Sequence, residues 1–395
     1  MDGQQARTDD ERVVVHVIAE FSAKEAMGRT VLETVRRVPG RHHLVTSAAH
    51  DTADAFVEVH ELGGPMLTFP LQVRAPLADV LRRLRPDVVH LHAGALGPLL
   101  ALATELRRCP LVTTVYAWPS LPRPNAWRRA SVSEMRQSNV LQPRVLATTL
   151  LPPAAVRGAL RRSGTSAVLS PDPRVLARLG ASVGDAPVER LPSGAPRDDR
   201  RAHRDECAPV VVFAGRAETV RGVDTLLEAF PRVRAAVPGA RLRLLLIPRP
   251  ELDDILRRTD AAGMGDAVDV VTTPVPDLLE ELAAAQVGVW PFKFDYVTSP
   301  PAMAVAEAMS VGLPVVSTDV ACVRAVVRPG IDGVVVPPAD SRALADGIIG
   351  LLRDASSWQK YADAGPSAMA ERFGWDRAAE VTGRAYSRAS SGLRS

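Results

Sequence analysis

Aromatic residues make up only 4% of the sequence, and cysteine occurs three times, at Cys109, Cys207 and Cys322, with no CxxC pair. So sparse and scattered a set excludes a disulfide framework or a zinc ribbon and fits a reducing compartment. No apolar run approaches the ~20 residues that cross a bilayer. The opening residues, MDGQQARTDDER, are polar and acidic and lack the apolar core of an export signal. A cytoplasmic protein is the expectation. Lysine is nearly missing as well: Lys24, Lys293 and Lys360 are the only three among 48 basic residues. The net charge of +3 is too mild to indicate nucleic acid, and no such partner is expected.

What the chain does have is length and aliphatic content. Its 395 residues, 46% of them hydrophobic, exceed one ordinary core and suit two domains built on Ala, Val and Leu. Short β-branched runs at residues 12–18, 43–46, 86–92, 111–116, 166–170 and 188–192 read as strands buried on both faces. Helical stretches fall near residues 26–38 and 77–84, then up to about Leu106, and over 173–179. Residues 119–162 read as irregular. The segment 193–208 is densely charged, without periodicity, and marks a domain boundary. Beyond it the alternation restarts, with strands at 210–213, 241–247, 268–271, 287–291, 314–317 and 333–336. Such alternation predicts α/β architecture: two Rossmann-like, doubly wound parallel sheets facing a cleft. The expected domains are residues 1–195 and 205–371. Ligands of such sheets bind beyond the carboxyl ends of the strands.

Two stretches carry chemistry. In Phe213-Ala-Gly-Arg-Ala-Glu-Thr-Val-Arg-Gly222, a strand runs into Gly215, and Arg216 and Arg221 then precede a helix beginning near Val223. Two permanent cations beside a helix N-terminus suit a diphosphate, whose charge grows as it departs. The bland alternative is a solvated Arg pair at a turn. In the second stretch, Ser299 and Pro300 open a helix that ends at Gly312 before Pro314. Glu307 lies two turns in, among Ala, Val and Met. It reads either as a carboxylate accepting hydrogen bonds from ribose hydroxyls or as an exposed helix acid.

In this order and spacing the two stretches resemble the retaining GT-B glycosyltransferases of family 4 (glycosyl transferases group 1). Gly215, Arg216, Arg221 and Gly222 match the family's Gly-Arg-x4-Lys-Gly element, with Arg for Lys. Glu307-Ala-Met-Ser-Val-Gly-Leu-Pro-Val-Val316 matches its EAMAxGxPVV-type element. Gly330-Ile-Asp-Gly-Val-Val-Val-Pro337, Phe373-Gly-Trp375 and Tyr386 extend the likeness, and Pro86-Asp-Val-Val-His90 and Leu191-Pro-Ser-Gly194 are looser matches. The resemblance implies that Arg216 and Arg221 hold the donor diphosphate, Glu307 the ribose, and the backbone from Thr273 to Val275 the base. It implies a helix at about 372–395 crossing back to the first domain. It also implies a UDP- or GDP-sugar donor and no metal or other cofactor, and no Asp-x-Asp sequence occurs.

There are departures. Ser299 stands where the family often has Glu, and Pro300 and Pro301 have no N–H, so amides reach the donor sugar only from Ala302 and Met303 onward. Tyr116 stands where the family often has His. It is expected to hydrogen-bond sugar or acceptor but is a poor general base. The loop from Glu20 to Gly28 holds one glycine, with Lys24 nearby. His90 and His92 share a strand face. With no third ligand evident, packing and hydrogen bonding are expected of them rather than a metal pair. Eight arginines and one acid fall in residues 121–162, which suits a phosphorylated or lipid-linked acceptor and peripheral contact with the inner face of an anionic membrane, or simply a solvated surface. The expected activity is transfer of a hexose-type sugar to a small molecule or glycan, in antibiotic or other secondary-metabolite biosynthesis or in the cell envelope. A non-catalytic partner of another transferase and a sugar-nucleotide epimerase are the alternatives.

Overall fold

The computed structural model describes residues 8–391 other than 24, 52–53, 65–67, 119–147, 197, 205–207, 262–264, 296–297 and 299–300. The described residues divide into two compact units: those up to Gly194 together with the residues from Trp375 onward form the first, and those from Ala195 to Gly374 the second.

The first unit is built on β1 (Val13–Phe21), β2 (Arg41–Ala49), β3 (Glu58–Glu61), β4 (Val88–Ala93), β5 (Leu111–Val115), β6 (Thr165–Ser170), β7 (Ser182–Val183) and β8 (Ala186–Arg190). Their order is β3-β2-β1-β4-β5-β6-β8-β7, and all pairs are parallel except β7 with β8. Val14, Val15 and Val17 of β1 are fully buried, as a strand covered on both faces requires. Strand β3 was not anticipated: Glu-Val-His-Glu is too polar and short for its alternation to stand out. The helix expected to end near Leu106 is instead a short one, Gly97–Ala101, followed by a 3-10 turn at Glu105–Arg108. Thr104 divides the two, its hydroxyl donating to the Ala101 carbonyl and accepting from the Leu106 amide. Within the stretch read as irregular, Pro153–Arg162 is an amphipathic helix that buries Val156, Ala159 and Leu160.

The last helix, Trp375–Ser391, belongs to this first unit. It buries Trp375, Ala378, Val381, Thr382, Ala385, Tyr386 and Ala389, a stripe at spacings of three and four, against Val14, Val88, Val112 and Leu169 of the sheet. Gly194 permits the contact, because a Cβ there would fall 1.8 Å from the Trp375 ring.

The second unit carries β9 (Val210–Arg216), β10 (Arg241–Ile247), β11 (Val268–Val271), β12 (Val287–Trp290), β13 (Val315–Thr318) and β14 (Val334–Val336), all parallel in the order β11-β10-β9-β12-β13-β14. The order reverses at β9, the topological switch point of a doubly wound sheet. The unit's long helices are α1 (Val223–Ala236), α2 (Leu252–Ala261), α3 (Met303–Ser310), α4 (Ser341–Arg353) and α5 (Ala355–Phe373). The charged segment 193–208, read as a domain boundary, is fastened to this unit from Ala195 onward where it is described. The Ala195 amide donates to the Phe373 carbonyl and the Ala202 amide to the Val311 carbonyl. Arg200 pairs with both Asp198 and Asp277, and Arg204 donates to the Leu352 carbonyl. Its charges find partners that periodicity does not reveal.

Candidate functional site

Because the six strands of the second unit are parallel, every segment that follows a strand emerges at the same edge of the sheet. Gly215 and Arg216 end β9, Thr273 and Val275 follow β11, and Ala302, Met303 and Glu307 follow β12. The fold therefore gathers these residues along one edge of this unit, the edge where doubly wound sheets bind ligands.

The turn after β9 is tightly determined. The Ala217 amide donates to the Ile247 carbonyl, and Thr219–Arg221 forms one 3-10 turn. Gly222 then takes φ +81° and opens α1. Glycine is required there twice over: the left-handed backbone disfavours a side chain, and a Cβ would lie 1.9 Å from the Pro291 carbonyl oxygen. The exit of β12 thus presses against the turn. It is also tied to it, with the Lys293 amide donating to the Val220 carbonyl and Lys293 Nζ 2.5 Å from Asp224 Oδ2.

Arg221 is largely buried. Its Nε donates to Glu218 Oε2 at 2.9 Å, and its guanidinium lies 5.9 Å from the centre of the Phe292 ring. Burial lowers its pKa most, Glu218 counteracts this, and the nearby Arg216 charge lowers it further. An arginine remains charged under such shifts. Two guanidiniums are therefore held close enough to repel, on a turn that leads into a helix N-terminus. An anion at that place relieves the repulsion and meets the helix dipole. Glu218, Phe292 and Lys293 were not singled out in the sequence. The three-residue spacing of Glu218 and Arg221 was visible there, whereas Phe292 and Lys293 come from a distant strand.

Glu307 is 6% exposed, which removes the reading of a solvated helix acid. A carboxylate buried among Ala306, Ala308 and Met309 is costly unless it is satisfied. At the start of α3 the structure corrects one expectation: the Ala302 amide donates to the Cys322 carbonyl at 3.1 Å and is not open to a sugar. The Ala302 carbonyl accepts from Val305 and Ala306, so Met303 and Ala304 supply the first helical amides, which lack intrahelical partners. Thr273 is exposed and Val275 half-buried against the core. Ser299 lies outside the described residues, as does Lys24.

In the first unit Tyr116 is not an open catalytic group. It is 8% exposed, its hydroxyl pairs with His92 Nδ1 at 3.2 Å, and burial drives its pKa far above the ordinary phenol value. It ends a buried chain of side chains. His92 Nε2 meets His16 Nδ1 at 3.0 Å, His16 Nε2 meets His42 Nδ1 at 3.0 Å, and His42 Nε2 donates to the Val38 carbonyl at 2.8 Å. That last bond sets every tautomer in the series, each ring donating from Nε2 and accepting at Nδ1, with the Tyr116 hydroxyl donating at the far end. His90 is held separately, between the Tyr386 hydroxyl at 2.8 Å and the Thr114 hydroxyl at 2.7 Å. A third imidazole, His16, does stand with His90 and His92 within metal-ligand range. All six ring nitrogens of the three are nevertheless engaged in hydrogen bonds. The loop after β1 needs Gly28, where a Cβ would lie 2.1 Å from the Ser22 carbonyl oxygen. Asp51 pins that loop, accepting from the Ser22 hydroxyl and the Ala23 amide at 2.9 Å each.

Most of the Arg-rich stretch 121–162 lies outside the described residues. Arg157, within the described helix, donates to the Leu179 carbonyl and so braces the unit internally. Among the described residues no helix is long and apolar enough to cross a membrane.

Residues 208–354 match the family model for glycosyl transferases group 1, and residues 27–179 match that for glycosyltransferase family 4. The chain is 30% identical over 341 residues to a D-inositol 3-phosphate glycosyltransferase of Streptomyces bingchenggensis, covering 78% of this chain and 68% of that protein. The chain belongs to glycosyltransferase family 4. It is 27% identical over 346 residues to glycogen synthase of Mycobacterium tuberculosis, covering 84% of this chain and 76% of that protein. Among solved structures, Anabaena HepE in complex with UDP and glucose superimposes with a TM-score of 0.70 at 16% identity, covering 95% of this chain and 100% of that one. Both sheets thus follow the parallel α/β plan of GT-B enzymes, and this chain is a glycosyltransferase.

Proposed function

We propose that this glycosyltransferase moves a hexose-type sugar from a UDP- or GDP-sugar to a hydroxyl of a polyol, glycan or other small molecule, with retention of anomeric configuration. The observation that carries the reading is the pair Arg216 and Arg221 at the carboxyl end of β9, one of them anchored by Glu218, at the opening of α1. As the glycosidic bond to the donor breaks, charge builds on the departing diphosphate. Guanidiniums already in place stabilise that charge more than they stabilise the intact donor, and only that difference accelerates transfer. The second unit is the donor-binding one in this reading. Glu307 accepts from the ribose hydroxyls, the Thr273–Val275 backbone faces the base, and Met303 with Ser299 meets the sugar. The first unit takes the acceptor. Same-face attack follows departure, with the leaving phosphate receiving the acceptor proton. With two arginines neutralising the diphosphate, transfer proceeds without a metal, and turnover is expected to persist in EDTA. The similarity to a transferase named for D-inositol 3-phosphate supports a polyol or glycan acceptor, in cell-envelope or secondary-metabolite synthesis.

The test is a screen of nucleotide sugars by thermal stabilisation, followed by turnover with the donor so found. Arg216→Ala is expected to lower turnover about 100–1000-fold, as loss of one transition-state donor does, while the melting temperature without ligand is kept. Unchanged turnover in that variant overturns the assignment.

A further inference from the structure

A second cluster of ligating side chains lies in the first unit, apart from the residues assigned to transfer. Strand β3 is a four-residue edge strand paired only with β2, with His43 opposite Glu58 and Val45 opposite His60. Side chains opposite one another, or two apart on one strand, share a face, so His43, Glu58 and His60 converge. The His43 and His60 rings stack at 6.0 Å with 8° between their planes. A Glu58 oxygen lies 3.4 Å from His60 Nδ1, and the other lies 4.0 Å from His43 Nδ1. One ligand atom from each of the three residues lies within 4.8 Å of the others.

Two features distinguish this cluster from an incidental one. His43 is 4% exposed and His60 8%, yet among the described residues His43 Nδ1 and His60 Nε2 have no hydrogen-bond partner. Buried nitrogens left unsatisfied cost about 1–3 kcal/mol each. The other feature is the occupant. A mostly exposed Arg83 reaches in, with Nη2 3.2 Å from Glu58 Oε1 and 3.3 Å from His60 Nδ1. A cationic group already sits between the carboxylate and an imidazole lone pair, on a side chain free to swing into water.

We propose that the ring nitrogens of His43 and His60 and a carboxylate oxygen of Glu58 bind a divalent transition metal of the zinc or cobalt kind, which clips the edge strand β3 to β2. Two imidazoles and one carboxylate form a donor set for such ions rather than for calcium or magnesium. Burial lowers the pKa of both histidines. The metal acts on the stability of the sheet edge and takes no part in sugar transfer.

The test uses untagged full-length protein, titrated with cobalt(II) by visible absorption and with zinc(II) by calorimetry. The expected result is one equivalent bound and a rise in melting temperature. Affinity falls at least ~10–100-fold, the range seen when even an outer-shell partner of a metal is lost, in both His60→Ala and Glu58→Gln. Arg83→Ala, which vacates the site without removing a ligand, tightens binding. It also keeps the test decisive if His60→Ala fails to fold. Absence of binding overturns the proposal, as does binding that survives either ligand substitution or that is abolished only by His90→Ala in the interior cluster.

Discussion

Replacing Gly222 with alanine places a Cβ 1.9 Å from the Pro291 carbonyl oxygen and 3.0 Å from the Pro291 side chain, on a backbone held at φ +81°. The left-handed conformation costs a residue with a Cβ about 1–2 kcal/mol. The clash is with backbone on both sides, so it is relieved only by shifting the turn or the β12 exit, a cost of about 1–3 kcal/mol on the scale of overpacked cores. Together these predict a loss of roughly 2–5 kcal/mol, or a drop of roughly 4–20 °C in melting temperature for a unit of this size. The same shift moves Arg221, the residue just before. A misplacement near 1 Å costs about 100-fold in rate. Differential scanning fluorimetry and a nucleotide diphosphate release assay measure the two effects. Gly350 is the control: it is exposed, sits in helix α4, and has nothing within 4 Å of a built Cβ. Gly350→Ala is expected to stabilise by about 0.5–1 kcal/mol and leave turnover unchanged. A Gly222→Ala protein that melts within about 1 °C of the parent, with full turnover, refutes the argument that this turn is held by glycine.

Tyr116→Phe removes a hydroxyl that donates to buried His92, so it is expected to cost about 1–3 kcal/mol of stability with turnover unchanged; a large loss of kcat at unchanged stability restores Tyr116 as a catalytic group. Burial holds His16, His90 and His92 neutral in the folded chain, each well below the ordinary value of 6.5. The unfolded chain binds protons first as pH falls, so stability is full above about pH 6.5 and declines below it, by up to ~1.4 kcal/mol per pH unit for each histidine. Urea midpoints between pH 7.5 and 5.5 check this, and a flat profile contradicts it. Lys293→Met strands Asp224, whose Oδ1 has no hydrogen-bond partner among the described residues, and is expected to destabilise by about 3–5 kcal/mol. Adding Asp224→Asn should recover most of that loss in a denaturant double-mutant cycle, and additivity of the two losses would show that the pair is not coupled.

Much of the architecture was legible because it is written in local pattern. Runs such as Val210-Val-Val-Phe213 can only be strands buried on both faces, and Gly312 with Pro314 ends a helix whatever surrounds it. The Gly215-Arg216 to Gly222 stretch stood out for the same reason: its residue types and spacing lie within ten positions. Strand β3 was illegible, since four polar-flanked residues gain their stability from β2 and not from their own periodicity. The charged segment before β9 looked unattached because the partners of its arginines, Asp277 and the Leu352 carbonyl, lie far along the chain.

By itself the sequence determined the α/β class, the buried parallel strands other than the short edge strand β3, and the two arginines with their glycines. These are properties of short windows governed by burial period and backbone freedom. Only the tertiary structure decided that Tyr116 is enclosed, that His16 joins His90 and His92, that the Ala302 amide is taken by Cys322, and that His43 meets Glu58 and His60. Each of those outcomes depends on which strands become neighbours. Strand pairing brings together residues tens of positions apart, and in the folded chain a side chain's protonation and hydrogen-bonding role follow from those neighbours.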